Sequence, residues 1–315
     1  MQYLAIDTGH GFSKGLAETG ARILMPSWIV PAGSTTDTGS LLRAAQPVSV
    51  TWNDGSLQTY WVGADAARMA TSLLARDKGS SHLTRDLTLL VAQRLNSTPD
   101  HPVTLAVGLP LAWYQDGRRS LADALTGHGL INGVPLTIAQ VRVLPQGVAA
   151  VLAALRPESS PGLYGIVDAG YGTTEYLMVD LTASGQPRLA PEPAGTWELG
   201  LHSVATALAR QVEATWHVVY APHELDQHEQ ITVRGASVDL TSLRKPLINQ
   251  WRQGLIERIQ AIWGSVLPRL QGLLVIGGGA GYFAETTIGT MPVTIPDQPQ
   301  WANVTGYLRA IRLAP

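Results

Sequence analysis

The chain has no cysteine among its 315 residues, which excludes disulfides, thiolate nucleophiles and cysteine-ligated metal centres. It has three lysines, Lys14, Lys78 and Lys245, and two phenylalanines against nine tryptophans. No apolar run approaches the roughly 18 residues that a membrane-spanning helix needs. No basic stretch leads into an apolar one ahead of the first strand, so neither a leader nor an anchor is expected and the chain reads as cytoplasmic. A formal net charge of −2 gives the surface no general attraction for nucleic acid, so a DNA contact would take a local patch or another protein. His217, His223 and His228 share one segment, but without metal-ligand spacing they read as a solvated loop.

What is present is glycine in three telling places. The first is Ala5-Ile6-Asp7-Thr8-Gly9-His10-Gly11-Phe12-Ser13-Lys14. The second is Ile166-Val167-Asp168-Ala169-Gly170-Tyr171-Gly172-Thr173-Thr174-Glu175, and the third is Leu274-Val275-Ile276-Gly277-Gly278-Gly279-Ala280-Gly281. The first two share a grammar: an apolar strand, an Asp at its end, a small-residue turn and a second strand. An Asp so placed holds a cation through water, and the glycines let backbone N–H groups close on phosphate oxygens. The third turn ends a buried strand and is expected to open a helix, as suits a base or sugar lying on bare backbone.

The length suits two domains. Tyr3–Asp7 and Ser13–Glu18 read as the first hairpin, and residues 24–62 as a small β-rich insertion with an Asn53-Asp54-Gly55 turn. Ala64–Ala75, Leu83–Leu95, Arg118–Leu125, Ala149–Leu155, Leu201–Thr215 and Leu247–Leu267 read as helices. Strands are expected at Val103–Val107, Gln140–Leu144, Thr174–Asp180, Leu273–Ile276 and Val293–Pro296, with a hairpin at 130–138. Arg156–Gly162 reads as a linker, and residues 216–240 give no clear pattern.

The order of these turns resembles the actin-like ATPase superfamily across nearly the whole chain. Gly108-Leu109-Pro110, the Gly195-to-Gly200 step and Ala302-Asn303-Val304-Thr305-Gly306-Tyr307 are similar to phrases of ParM-type plasmid-segregation actins and archaeal actin-like proteins. The resemblance implies an α/β, two-domain actin-like (ribonuclease H-like) fold with nucleotide in the interdomain cleft. It implies domain I over 1–156 with a small β-rich subdomain near 24–75, domain II over 157–300, and a C-terminal helix at 301–315 returning to domain I.

By the same resemblance Asp7 and Asp168 hold Mg²⁺, mostly through its waters; as plain turn residues, each would cap its own backbone. Thr8, Gly9, His10, Gly11, Phe12 and Lys14 of the first turn, and Gly170, Tyr171, Gly172, Thr173 and Thr174 of the second, are expected around the phosphates. Lys14 matches a phosphate-binding lysine, although a solvated strand residue would look the same. Gly277, Gly278, Gly279, Ala280 and Tyr282 are expected at the sugar and base. Gln146 is the residue expected to orient the attacking water, unless it is only a helix-start residue. His10 and Tyr171 depart from actin, which has a small hydroxyl residue and an acid at those positions.

The function implied is a filament-forming ATPase or GTPase with catalytic residues Gln146, Asp168 and Asp7. It would segregate plasmid DNA through an adaptor protein, with its own copies as partners, and with no direct nucleic acid or membrane contact. A non-polymerising small-molecule kinase of the same superfamily, or a nucleotide-binding scaffold without hydrolysis, are the other readings.

Overall fold

Strand β1 (Gln2–Thr8) sends alternate side chains to opposite faces, and both faces are covered. Leu4 and Ile6 join one apolar cluster, while Ala5 joins another. The protein is seen here as a computed structural model that describes residues 2–34, 46–53, 55–67, 81–155, 159–226 and 228–313. The expected helix beyond Ala67 and the first three residues of the expected linker, 156–158, lie outside the described residues. Packing divides the chain into two compact units, Met1–Ala153 with Trp301–Pro315, and Ala154–Gln300.

In the first unit β1 is followed by β2 (Phe12–Ala17), β3 (Arg22–Pro26), β4 (Ile29–Pro31), β5 (Val48–Trp52), β6 (Ser56–Val62), β7 (Val103–Leu109), β8 (Gly127–Ile131) and β9 (Val134–Pro145). Together they form one nine-stranded sheet in the order β3-β2-β1-β7-β9-β8-β5-β6-β4. The residues read as a separate insertion therefore join the main sheet. The reason is β9, whose first residues pair antiparallel with β8 and whose later residues pair parallel with β7. The hairpin and strand expected near 130–144 are accordingly parts of the β8–β9 pair.

Helix α1 (Ala64–Ala67) is short; α2 (His82–Leu95) lays Leu87, Leu90 and Val91 on Leu4, Ile6 and Leu105. Helix α3 (Leu111–Leu125) starts seven residues before its expected position, directly after Pro110, and runs through Gly117. Helix α4 (Ala150–Ala154) follows the Gln146 turn. The C-terminal helix Ala302–Leu313 covers the other face, with Val304, Tyr307, Leu308 and Ile311 against Ala5, Leu16 and Ala106. Its approach is close: a Cβ on Gly306 would lie 2.0 Å from the Ala149 carbonyl oxygen.

The second unit centres on β10 (Gly162–Ala169), paired antiparallel with β11 (Thr174–Leu181), beyond which lie β12 (Pro187–Leu189) and β13 (Gly195–Trp197). Helix α5 (Leu201–Trp216) ends at His217 in the left-handed region, where it caps the helix. Residues 216–240 fold as the short helix α6 (Pro222–Asp226) and a hairpin of β14 (Gln230–Val233) and β15 (Ala236–Asp239). Its turn, Arg234-Gly235, has φ of 49° and 84°, the twist of a primed hairpin turn without the Asn-Gly pair that signals one.

Helix α7 (Thr241–Trp263) begins six residues before Leu247 despite Pro246; in the turn that leads into it the Asp239 carboxylate accepts the Thr241 N–H at 3.0 Å. Strand β16 (Gly272–Ile276) lies parallel to β10, then β17 (Thr287–Ile288) and β18 (Met291–Thr294) close the sheet. The third glycine turn opens only a 3-10 segment, Ala280–Phe283, not an α-helix. Four glycines within Gly277–Gly281 make too poor a helix former for more. The C-terminal helix is α8.

Candidate phosphate-turn site

The two Asp turns are built alike to the hydrogen bond. Gly9 N–H donates to the carbonyls of Asp7 (3.1 Å) and Phe12 (3.2 Å); Gly170 N–H donates to those of Asp168 and Thr173, both at 3.0 Å. A Cβ on Gly9 would sit 2.7 Å from the Phe12 oxygen, and one on Gly170 would sit 2.7 Å from the Thr173 oxygen. Both turns therefore need glycine for the same steric reason. Each Asp faces the residue seven positions on: Asp7 opposite Lys14 and Asp168 opposite Glu175.

The chemistry across each hairpin differs. Asp7, only 3% exposed, accepts Lys14 Nζ at 3.0 Å on one oxygen and Gln146 Nε2 at 3.1 Å on the other. The structure thus brings Gln146 to the Asp7–Lys14 pair from 139 residues along the chain. Gln146 is held by its own N–H to the Leu109 carbonyl at 2.9 Å. The next residue, Gly147, donates its N–H to the Asn303 side chain at 2.9 Å, so α8 helps fix the loop. With its amide nitrogen on Asp7, the Gln146 carbonyl oxygen is the atom left to accept from water.

Across the second hairpin stand two buried carboxylates. Asp168 is 6% exposed and Glu175 2%, and Thr173 Oγ1 donates to Glu175 at 2.8 Å. The N–H groups of Leu201 and His202, which open α5, donate to the Gly170 and Tyr171 carbonyls at 3.1 and 2.8 Å. That turns the carbonyls toward α5. The amides of Tyr171, Gly172 and Thr173 find no backbone acceptor among the described residues, and a run of such N–H groups is a nest for an anion.

In the third turn Gly277 has φ of 88°, and a Cβ there would lie 2.4 Å from Asp168 Oδ1. Gly279 donates to the Ala169 carbonyl at 2.9 Å and leaves no room for a side chain beneath Trp251. The second and third turns are therefore brought together at the ends of β10 and β16. Around Gly278, by contrast, the nearest protein atom to a Cβ would be 4.0 Å away. Nothing in the protein requires glycine there, whereas a ligand lying on the backbone would. Tyr282 is 41% exposed and meets Trp251 edge-on, with ring centroids 6.3 Å apart. The buried Trp251 Nε1 has no hydrogen-bond partner among the described residues.

Four expected side chains make contacts within the protein. Thr8 Oγ1 pairs with Thr88 Oγ1 of α2 at 2.9 Å, and Thr174 Oγ1 donates to the Leu199 carbonyl at 2.6 Å, so these hydroxyls serve packing. The Tyr171 hydroxyl donates to Asp226 on α6. His10 meets Trp113 edge-on at 6.5 Å. No group of three His, Asp or Glu side chains among the described residues is placed to hold a metal, and His223 lies on α6 rather than in a loop. Sequence reasoning missed Glu175, Trp251 and Asn303. For Glu175 the signal was available, since it repeats the spacing of Asp7 and Lys14.

The model of the N-terminal domain of actin-like proteins matches residues 5–148, and the C-terminal model of archaeal MreB-like actin homologues matches 166–287. A search of the curated proteins finds no match. Among solved structures, Ta0583, an archaeal actin homolog, aligns over 100% of both chains at 20% identity with a TM-score of 0.81. The same protein in complex with ADP aligns over 100% of both chains at 22% identity and TM-score 0.79. The 15-stranded ParM filament from Clostridium botulinum aligns over 99% of both chains at 19% identity and TM-score 0.80. These likenesses establish the fold.

Proposed function

From a chain that belongs to the actin-like superfamily, we propose a nucleoside triphosphatase that takes Mg²⁺ with ATP or GTP and assembles into filaments of its own copies. The observation that carries this reading is the repeated Asp turn, identical in its Gly9 and Gly170 bonding in the two units. One such turn is ordinary hairpin chemistry; the same turn twice, each with buried carboxylate and tight glycine, is a pair of phosphate grips.

Each residue then has a task. The amides of Tyr171 to Thr173 receive phosphate oxygens, and Lys14 offers a compact positive charge beside the first turn. Gln146, oriented by its bond to Asp7, presents its carbonyl to the attacking water; positioning of this kind dominates phosphoryl transfer. The open backbone at Gly278, with Trp251 and Tyr282 nearby, receives sugar and base. Mg²⁺ takes oxygen donors and keeps most of its water. Asp168 with Glu175 across from it is the more suitable pair, because Asp7 already shares its charge with Lys14. Plasmid segregation through an adaptor, in the cytoplasm, is the biological setting that fits a near-neutral chain; among the described residues, no helix is long and apolar enough to cross a membrane.

Light scattering with Mg²⁺ and either nucleotide, on the order of tens of micromolar protein, tests the assembly. Scattering above a critical concentration and filaments by electron microscopy are expected. Phosphate release without scattering would leave a nucleoside triphosphatase that does not polymerise.

A further inference from the structure

Tyr171 stands at the tip of the second Asp turn, yet its side chain belongs to a different cluster. Its hydroxyl donates to an Asp226 oxygen on α6. His202 Nδ1 lies 3.3 Å from the same hydroxyl, and the two rings tilt together with centroids 5.4 Å apart. With the phenol proton on Asp226, the phenol oxygen accepts from the imidazole, which gives a chain from His202 through Tyr171 to Asp226. Arg244 on α7 donates to the Leu225 and His228 carbonyls at 2.6 and 2.7 Å, and so fixes α6 and His228. The backbone of the turn is gripped from the same side, since the amides of Leu201 and His202 bond the Gly170 and Tyr171 carbonyls. Gly200 allows this approach: a Cβ there would lie 2.2 Å from the Tyr171 oxygen.

We propose that Asp226, acting through the Tyr171 hydroxyl, is a positioning residue that holds the second Asp turn with its amides presented to an anion. This rests on the phosphate-binding reading above, and it adds a fixed link from residues 216–240 to the turn. The charged and titratable groups facing Asp226 are Tyr171 on the turn, His202 on α5, His223 on its own helix and Arg244 on α7. Burial raises the Asp226 carboxyl above its usual range and lowers His202 below its own. An ionised Asp226 takes the strong, charge-assisted bond from the phenol. A protonated one does not, so the latch loosens as pH falls through the raised range of that carboxyl.

Amide exchange in the full chain tests the latch without any nucleotide. The reporters are Gly170, Leu201 and His202, whose N–H groups make or contact the turn. Tyr171→Phe and Asp226→Asn should each speed their exchange roughly tenfold. In the unaltered protein, exchange corrected for its intrinsic pH dependence should also speed up as pH falls through the raised range of the Asp226 carboxyl, and in Asp226→Asn that step should be absent, leaving the His202 contribution alone. Tyr171→Phe removes a single oxygen and keeps the ring packed, so it reports even where Asp226→Asn folds badly. Unchanged exchange in both variants, or the same pH profile in all three proteins, overturns the proposal. Calorimetric titration with Mg²⁺ and ADP judges the underlying reading separately. Absence of binding to the unaltered protein removes the nucleotide reading while the exchange result still decides the latch; roughly tenfold weaker binding in both variants ties the two together.

Discussion

At the scale of single residues the unusual arrangement is Asp7 between Lys14 and Gln146. The Lys14 and Asp7 side chains are 11% and 5% exposed, so this ion pair is not a surface pair. Lys14→Met takes the lysine charge away from a buried carboxylate, and should destabilise the protein by about 3 kcal/mol. Adding Asp7→Asn to Lys14→Met should recover part of that loss, because no charge then remains to be solvated. Urea denaturation of the single and double variants measures both steps; additive losses would mean the pair is not coupled. Gln146→Ala should slow phosphate release roughly 10²-fold or more, the scale of one lost positioning group. It should also remove one hydrogen bond from Asp7, at about 1 kcal/mol. Filaments of this variant should persist, and release measured alongside filament lifetime checks it. The scarcity of lysine made Lys14 legible in the sequence, and the turn grammar did the same for Asp7. That Gln146 lies on Asp7 was not legible, because 139 residues separate them and they meet through the β1–β7 and β7–β9 pairings.

Among the elements, the glycines sort into two kinds. Gly306 on α8 is required by the fold, and Gly306→Ala should destabilise by about 1–3 kcal/mol through overpacking on the Ala149 carbonyl. Gly278 faces open space, so Gly278→Ala should change stability by less than about 0.5 kcal/mol while weakening nucleotide binding. Melting curves beside nucleotide titrations separate the two glycines; equal losses of stability would refute the distinction. Long periodic helices and buried strands could be read from the sequence because pattern and burial agree, as in α2 with Leu87, Leu90 and Val91. The start of α3 was hidden by Pro110 and Gly117, residues usually found at helix ends. The α6 segment and the β14–β15 hairpin were hidden for another reason. Asp226 and Arg234 act through tertiary contacts and turn geometry that leave no local periodicity.

For the whole molecule, the two shifted groups of the Tyr171 cluster pull stability in opposite directions with pH. His202 has a lowered folded value, so its contribution is present above the unfolded imidazole range and is lost as pH falls through the folded value. Asp226 has a raised folded value, so its contribution is full below the unfolded carboxyl range and is lost as pH rises through the folded value. On acidification below neutrality the histidine therefore destabilises while the aspartate compensates. Asp226→Asn removes the compensation, and should make the urea midpoint drop more steeply from neutral to mildly acid conditions than in the unaltered protein. A parallel drop in both would show that the two groups do not oppose one another. The two-unit plan itself was legible, because the duplicated Asp turn appears twice in the sequence with the same spacing. The single sheet that takes in the strands expected within residues 24–62 was not, since it depends on β9 serving two partners at once.

The closing of the first unit by α8 has a consequence for how the chain is made. Synthesis delivers β1, β7 and the Ala149 segment long before α8, with all of the second unit in between. Until that helix emerges, Ala5, Leu16 and Ala106 present an uncovered apolar face, while the apolar cluster of the second unit, built from residues between Leu163 and Ile295, already has all its members. The nascent chain should thus acquire protease resistance in its middle before its beginning. During that interval its N-terminal part is the portion most in need of a chaperone.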